Sequence, residues 1–166
     1  MKGLLLSIVA LAAAVSLVVG LSSALAAKQS TARGATIAIA SSGLGRVLVD
    51  GRGRTLYLFE RDKRGRSVCK GSCAASWPPL ITTGKPRATA GAKASLLGTT
   101  KRTDGRLQVT YNHHPVYTFV KDTKKGQTNG EEIDAFGGEW YAVSSAGSKV
   151  EKTDGESSGY GGGYGG

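Results

Sequence analysis

Tyr57-Leu58-Phe59-Glu60-Arg61-Asp62 and Tyr117-Thr118-Phe119-Val120-Lys121-Asp122 are two copies of one pattern, Tyr-x-Phe-x-x-Asp, set 60 residues apart. The likeness runs upstream at the same offset: Gly45-Arg46 matches Gly105-Arg106 and Val49 matches Val109. Thr36-Ile-Ala-Ile39 falls opposite Leu96-Leu-Gly-Thr99, and a Trp follows each copy, Trp77 and Trp140, with the spacing slipped to 63. Two copies are too few for a solenoid but enough for one domain with internal pseudo-symmetry. On a strand the Tyr and Phe of each copy share one face, because side chains alternate with period two.

The segments around the motifs read as strands. Ala35–Ala40, Arg46–Asp50 and Thr55–Phe59 belong to the first repeat, and Leu96–Thr100, Arg106–Tyr111 and Val116–Val120 to the second, with Glu139–Val143 closing the chain. Asp50-Gly51 with Gly53, Asp104-Gly105 and Asn112-His-His-Pro115 supply turn chemistry between them. Trp77-Pro78-Pro79-Leu80 excludes a helix and reads as an extended edge segment. Asp122–Ile133 reads as a second long polar loop with a turn at Asn129-Gly130. No stretch after the leader sustains an apolar stripe of period 3.6, so little helix is expected. The expected fold is all-β: two related units of three to four strands in one sandwich- or barrel-like domain.

The organisation divides at composition shifts. Residues 1–26 read as a signal peptide, with Lys2, an apolar run from Leu4 to Val19 and Ala24-Leu-Ala26 at the cleavage position. The alternative is a retained membrane anchor, since the segment is long enough to span; if it is cleaved, no membrane span is expected. Residues 27–34 are a polar leader, 35–83 the first repeat, 84–94 a linker and 95–144 the second repeat. Residues 145–166 form a Gly/Tyr-rich tail, read as disordered for want of apolar side chains.

Lys and Arg number 22 against 12 Asp and Glu, giving a net charge of +10, and eight of the basic residues fall between Arg46 and Lys70. Such a surface favours an anionic cell-wall or membrane-surface component; nucleic acid is not expected. Cys69 and Cys73, in Cys-Lys-Gly-Ser-Cys, read in an exported chain as a disulfide closing a short loop, with a redox pair or half of a metal site as alternatives.

Tyr57, Phe59, Asp62, Tyr117, Phe119 and Asp122 carry two readings. The aromatics fill a core while each Asp caps a turn, or the six face a ligand cleft or a proton or electron relay. His113 and His114, the only histidines, are candidate ligands for copper, zinc or haem, or solvated turn residues. No cofactor is required by any motif. A Gly-x-Ser-x-Gly elbow, a phosphate loop and His-Glu-x-x-His are all missing, which argues against an enzyme.

Taken together, the two motif copies, Cys69-x-x-x-Cys73 leading to Trp77-Pro-Pro-Leu80, and Thr128-Asn-Gly running to Phe136-Gly-Gly-x-Trp140-Tyr resemble the bacterial secreted-repeat proteins. These are known as predicted lipoproteins with a Tyr-x-(Phe/Trp/Tyr)-x-x-Asp motif. The resemblance spans about Gly43 to Ser144. It implies an exported envelope protein with tandem repeats and brings no activity, since the family has no established reaction. The chain departs from lipoprotein members in having no Cys after the apolar run, so no residue there can accept a lipid. The function expected is a non-catalytic structural or binding module of the envelope; the alternative is a small extracytoplasmic redox or metal- or haem-associated protein.

Overall fold

The computed structural model describes residues 34–151. The segment read as a signal peptide, the stretch up to residue 33 and the residues from 152 on lie outside the described residues. Among the described residues no helix is long and apolar enough to cross a membrane.

The chain is mostly strand, in three small sheets. The first has the order β2 (Gly45–Asp50), β1 (Thr36–Ser42), β5 (Arg87–Ala88). The second is β3 (Tyr57–Phe59), β10 (Gly138–Ala142), β9 (Ile133–Ala135). The third is β4 (Ile81–Thr82), β7 (Leu107–Tyr111), β6 (Leu97–Lys101), with β8 (His114–Pro115) also on β7. Among the described residues helix is confined to α1 (Ser72–Ser76) and a 3₁₀ turn at Ala94–Leu96. The all-β expectation holds, with one architectural surprise: the sheets ignore the repeat boundaries. β3 of the first repeat pairs with β10 of the second, Trp140 opposite Phe59, and β4 of the first pairs with β7 of the second.

The Asp50-Gly51 turn forms, but the hairpin it starts does not continue. Asp50 Oδ1 accepts the N–H groups of Arg52 and Arg54, both at 2.9 Å, and Oδ2 takes the Arg54 guanidinium. Pairing then runs only through Val49–Thr55 and Leu56 N–H to Leu48 O before the chain crosses to β10. The second motif copy is likewise not a regular strand: Tyr117 bridges Tyr57 and Pro79 singly.

The identity match of Val49 with Val109 is out of structural register by one. Leu48 and Val109 are the equivalent residues. Each gives its carbonyl to the residue preceding a motif Tyr (Leu56 at 2.8 Å, Val116 at 3.1 Å) and its N–H to the residue three past a motif Trp (Val143 at 2.7 Å, Leu80 at 2.8 Å). The first repeat's turn is one residue longer, which restores the offset of 60 by Leu56 and Val116. In a strand such a slip exchanges the two faces, so the coincidence at Val49 is sequence likeness without structural equivalence.

Two further boundaries differ from expectation. The stretch read as a linker pairs as β5 in parallel with β1 and adds Thr89 N–H to Ile37 O and Ile39 N–H to Ala90 O. Its backbone supplies a sheet partner, which side-chain polarity does not report. The tail does not begin at 145: Gly147 N–H reaches Ser144 O, and Val150 N–H bonds Ala142 O with its side chain against the core. The Val150 contact, the Lys149–Glu60 ion pair and the bond from Asn112 Nδ2–H to Gly147 O together fasten that segment.

The core is divided by the central strands. Tyr57, Phe59, Tyr117, Phe119, Trp77 and Trp140 gather with Val47 and Val49 on one side, and Ile37, Ile39, Leu48, Leu56, Leu58 and Val109 on the other. Period-two alternation along 56–59 makes that division.

Candidate functional site

Tyr57 and Tyr117 sit opposite each other at the centre of the pseudo-symmetry and exchange both backbone bonds, at 2.8 and 3.0 Å. Their hydroxyls then cross over. Tyr57 Oη–H donates to Asp122 Oδ2 and Tyr117 Oη–H to Asp62 Oδ2, each at 2.6 Å. Every motif Tyr is therefore held by the Asp of the other copy. The second oxygen of each Asp ties down the loop that follows it. Asp62 Oδ1 accepts Val68 N–H at 2.8 Å, and Asp122 Oδ1 accepts the backbone and side-chain N–H of Asn129 at 2.9 and 3.0 Å.

Around this crossing the rings form a continuous stack, Phe59–Trp140–Trp77–Phe119. The centroid spacings are 4.1, 4.0 and 4.1 Å, and the two indoles are 4° from parallel. Tyr57 and Tyr117 meet the indoles edge-on at 5.4 and 5.1 Å. Gly130 lies against this stack: a Cβ there would come within 2.8 Å of Trp77 Cη2 and of Tyr57 Cζ. The Asn129-Gly130 signal thus marks a close approach of backbone to ring as well as a turn.

Burial sets the electrostatics. It is the first cause raising both tyrosine hydroxyls above their ordinary range, with the neighbouring Asp122 and Asp62 adding to it. Burial also pushes the Asp62 carboxyl up to about 6, overriding the Tyr117 and Val68 hydrogen bonds and the Arg102 charge that act the other way. All the motif residues but Asp62, which is half-buried, are closed off from solvent. The arrangement locks the repeats together, and a phenol donating to a carboxyl at 2.6 Å can also hand over its proton if the ring is oxidised.

The loop between Asp62 and Trp77 is fastened at several points. Arg64 and Gly65, at φ 53° and 73°, make a tight tip closed by Arg66 N–H to Lys63 O at 3.0 Å. Cys69 and Cys73 form a buried disulfide, and α1 carries the chain on to Trp77. Within this loop Asp62 turns inward to Tyr117 and Glu60 pairs with Lys149 at 3.2 Å, so its acids are taken. Arg61, Lys63, Arg64, Arg66 and Lys70 are exposed. Among the described residues no ion pair engages Lys63, Arg64, Arg66 or Lys70. Arg61 clamps the carbonyl of Phe136 at 2.8 Å.

His113 and His114 diverge. Asn112 and His113 take the two positive-φ positions of the turn into β8, leaving His113 exposed, while His114 pairs with Tyr111. Burial, then the charge of His113, lowers the His114 pKa. His114 lines a cleft of about 410 Å³ together with Phe59, Asp62 and Lys149. Among the described residues no group of three or more His, Cys, Asp or Glu side chains is placed to hold a metal ion.

Ser67, Arg102 and Gln108 escaped the sequence reading. The Ser67 and Tyr117 hydroxyls are 2.7 Å apart, and the buried Arg102 guanidinium joins Ser67 Oγ, Gln108 Oε1 and Cys69 O, each at 2.7 Å. Arg102 stands in Lys-Arg-Thr-Asp-Gly, indistinguishable from a solvated turn, so no local signal could have found it.

A family model described as a secreted repeat of unknown function matches residues 38–81 and 98–144. The two matched segments are the two interlocked repeats. No curated protein and no solved structure matches the chain.

Proposed function

The chain belongs to this family of secreted repeats and is an exported protein, and from that premise we propose that it is a non-catalytic module binding anionic components of the cell envelope. The observation that carries the reading is the Glu60–Lys70 loop. Its acidic side chains are engaged, Asp62 in an inward hydrogen bond and Glu60 in a surface ion pair, its basic ones face solvent, and a carboxyl anchor and a disulfide hold its two ends. A fixed cationic surface loses less entropy on meeting a polyanion than a floppy one. Such binding releases counterions and so weakens steeply with salt. The test is retention of the mature protein on an immobilised polyanion as salt rises. Lys63→Glu with Arg64→Glu, both exposed, should elute at markedly lower salt with an unchanged melting temperature. Elution identical to wild type would sink the reading.

A second reading, an extracytoplasmic redox or metal- or haem-associated protein, draws on the four-ring stack flanked by two Tyr–carboxyl pairs and the buried disulfide beside Trp77. Native mass spectrometry of protein from its own envelope, purified without chelator or reductant, separates the two. Extra mass from a metal or haem favours the second, and a bare oxidised chain the first.

A further inference from the structure

The pseudo-symmetry is broken by a polar residue at several core positions, Val49 against Thr110 and Leu58 against Thr118 among them, and at one of them the break brings in a charge. Position 47 of the first repeat is Val47, fully buried; its structural counterpart in the second repeat, one residue before Val109, is Gln108, equally buried. Gln108 gives Nε2–H to Val116 O at 3.0 Å and Oε1 to the Arg102 guanidinium. Arg102 is 8% exposed, and its hydrogen bonds go to neutral oxygens only. Its Nε has no hydrogen-bond partner; Asp104 Oδ2 lies 3.6 Å away, is 41% exposed and is already held by Arg106 at 2.7 Å. A buried guanidinium served by neutral acceptors, one distant, shared carboxylate and the longer-range charge of Asp62 is a costly feature. A valine would have served the fold, as it does in the other repeat.

Two adjoining clefts have Arg102 in their lining. One, of about 200 Å³, is lined by Ser67, Val68, Cys69, Lys70, Arg102 and Thr103. The other, of about 440 Å³, is lined by Arg66, Ser67, Thr100, Lys101, Arg102 and Thr103. The walls therefore bring together four cations and the hydroxyls of Thr100 and Thr103, with no carboxylate among them. Arg66, Lys70 and Lys101 are exposed, whereas Arg102 is buried and held by three hydrogen bonds. We propose that these clefts, lined by Arg102 and flanked by Arg66, Lys70 and Lys101, form a binding site for the phosphate group of a phosphodiester. An anion with several acceptor oxygens suits clustered guanidinium, ammonium and hydroxyl donors better than a single carboxylate does. The buried arginine contributes a positive charge that salt screens less than a surface one. This site rests on the anionic-ligand reading above and gives that reading an address at the root of the basic loop.

The test is titration of the mature protein with inorganic phosphate, followed by ¹⁵N–¹H spectra including the arginine Nε–H signals. Saturable shifts should be confined to residues 66–70 and 100–103 and the Arg102 side chain, with none from chloride at equal ionic strength. Arg66→Ala with Lys101→Ala, both exposed, should weaken phosphate about tenfold, the loss of roughly one charge-assisted hydrogen bond, without moving the melting temperature. Shifts scattered over Arg46, Lys85 and Lys93, or a double variant that binds as wild type, would overturn the site. A poly(glycerol phosphate) and phosphatidylglycerol vesicles then carry the same phosphodiester in two forms. Binding of either that the double variant loses supports the site and tells polymer from headgroup. Retention on a polyanion without saturable phosphate binding overturns the cleft and leaves the loop reading standing; no retention at all overturns both.

Discussion

Tyr57→Phe removes one oxygen that serves two buried hydrogen bonds, and its cost can be worked from the structure. Asp122, 3% exposed, loses the 2.6 Å bond to its Oδ2, and the buried Gly130 N–H loses an acceptor at 3.3 Å. Water cannot replace either without opening the aromatic stack. Leaving a buried carboxyl oxygen unpartnered costs about 2–3 kcal/mol, with the long Gly130 bond adding little. Tyr117→Phe is the same change in the other motif copy, but Asp62 is only half-buried and lines a cleft that water can enter, and Ser67, which also loses the hydroxyl, keeps its bond to Arg102. The cost of this change should be about 1 kcal/mol. The identical motifs are thus expected to be energetically unequal. The assay is urea unfolding of both variants with the disulfide intact, followed by the fluorescence of Trp77 and Trp140 and checked for a constant slope. Asp122→Asn in the Tyr57→Phe background should recover part of the loss, because the amide needs less from the missing phenol. Equal costs for the two tyrosines, or a loss below about 0.5 kcal/mol for Tyr57→Phe, would refute the reasoning that burial of the accepting carboxyl sets the value of the bond.

Gly130→Ala should destabilise by about 2–3 kcal/mol, since the new methyl meets two rigid core rings; Gly105→Ala, at φ +82° in open space, should cost only about 1 kcal/mol of backbone strain, and thermal melts of the two compare directly. Asp62 titrates near 6 in the folded state against an ordinary 3.8. Its contribution to stability is therefore full below about 4 and lost as the pH rises through 6. The full shift corresponds to about 3 kcal/mol, and partial solvation of the side chain brings the expected loss below that; a carboxyl ¹³C titration gives the midpoint, and Asp62→Asn should abolish this part of the slope. Reducing Cys69–Cys73, or replacing both by Ser, should cost about 2 kcal/mol for so short a loop while leaving the Trp77–Trp140 stack in place, which near-ultraviolet circular dichroism reports.

The sequence was most informative where one residue type serves one local purpose. Tyr57 and Phe59 alternate into a shared face because strands have period two, and Asp50-Gly51 with Gly53 and Asp104-Gly105 mark turns in which Gly53 and Gly105 take the positive φ that glycine tolerates. The Cys pair, four residues apart, could close only a small loop, and it does. The reading failed where the partner lies far along the chain. Residues 84–94 are polar and small, yet Arg87–Ala88 completes a sheet because β1 offers an open edge. The match of Val49 with Val109 looked like register and was not, since one extra residue in the 50–54 turn moves the whole strand by a face.

By itself, the sequence determined an exported, basic, all-β protein made of two related repeats, with paired Tyr, Phe and Asp in each. Those are properties of composition, periodicity and spacing, all of which are local. Only the tertiary structure decided that the repeats interlock: that Tyr57 answers to Asp122 and Tyr117 to Asp62, that the two tryptophans stack on one another, and that a buried arginine stands beneath the basic loop. Hydrogen bonds and ring contacts between residues 33 to 73 positions apart are fixed by how strands cross. Two repeats folded separately or folded through each other would carry the same alternation of side chains.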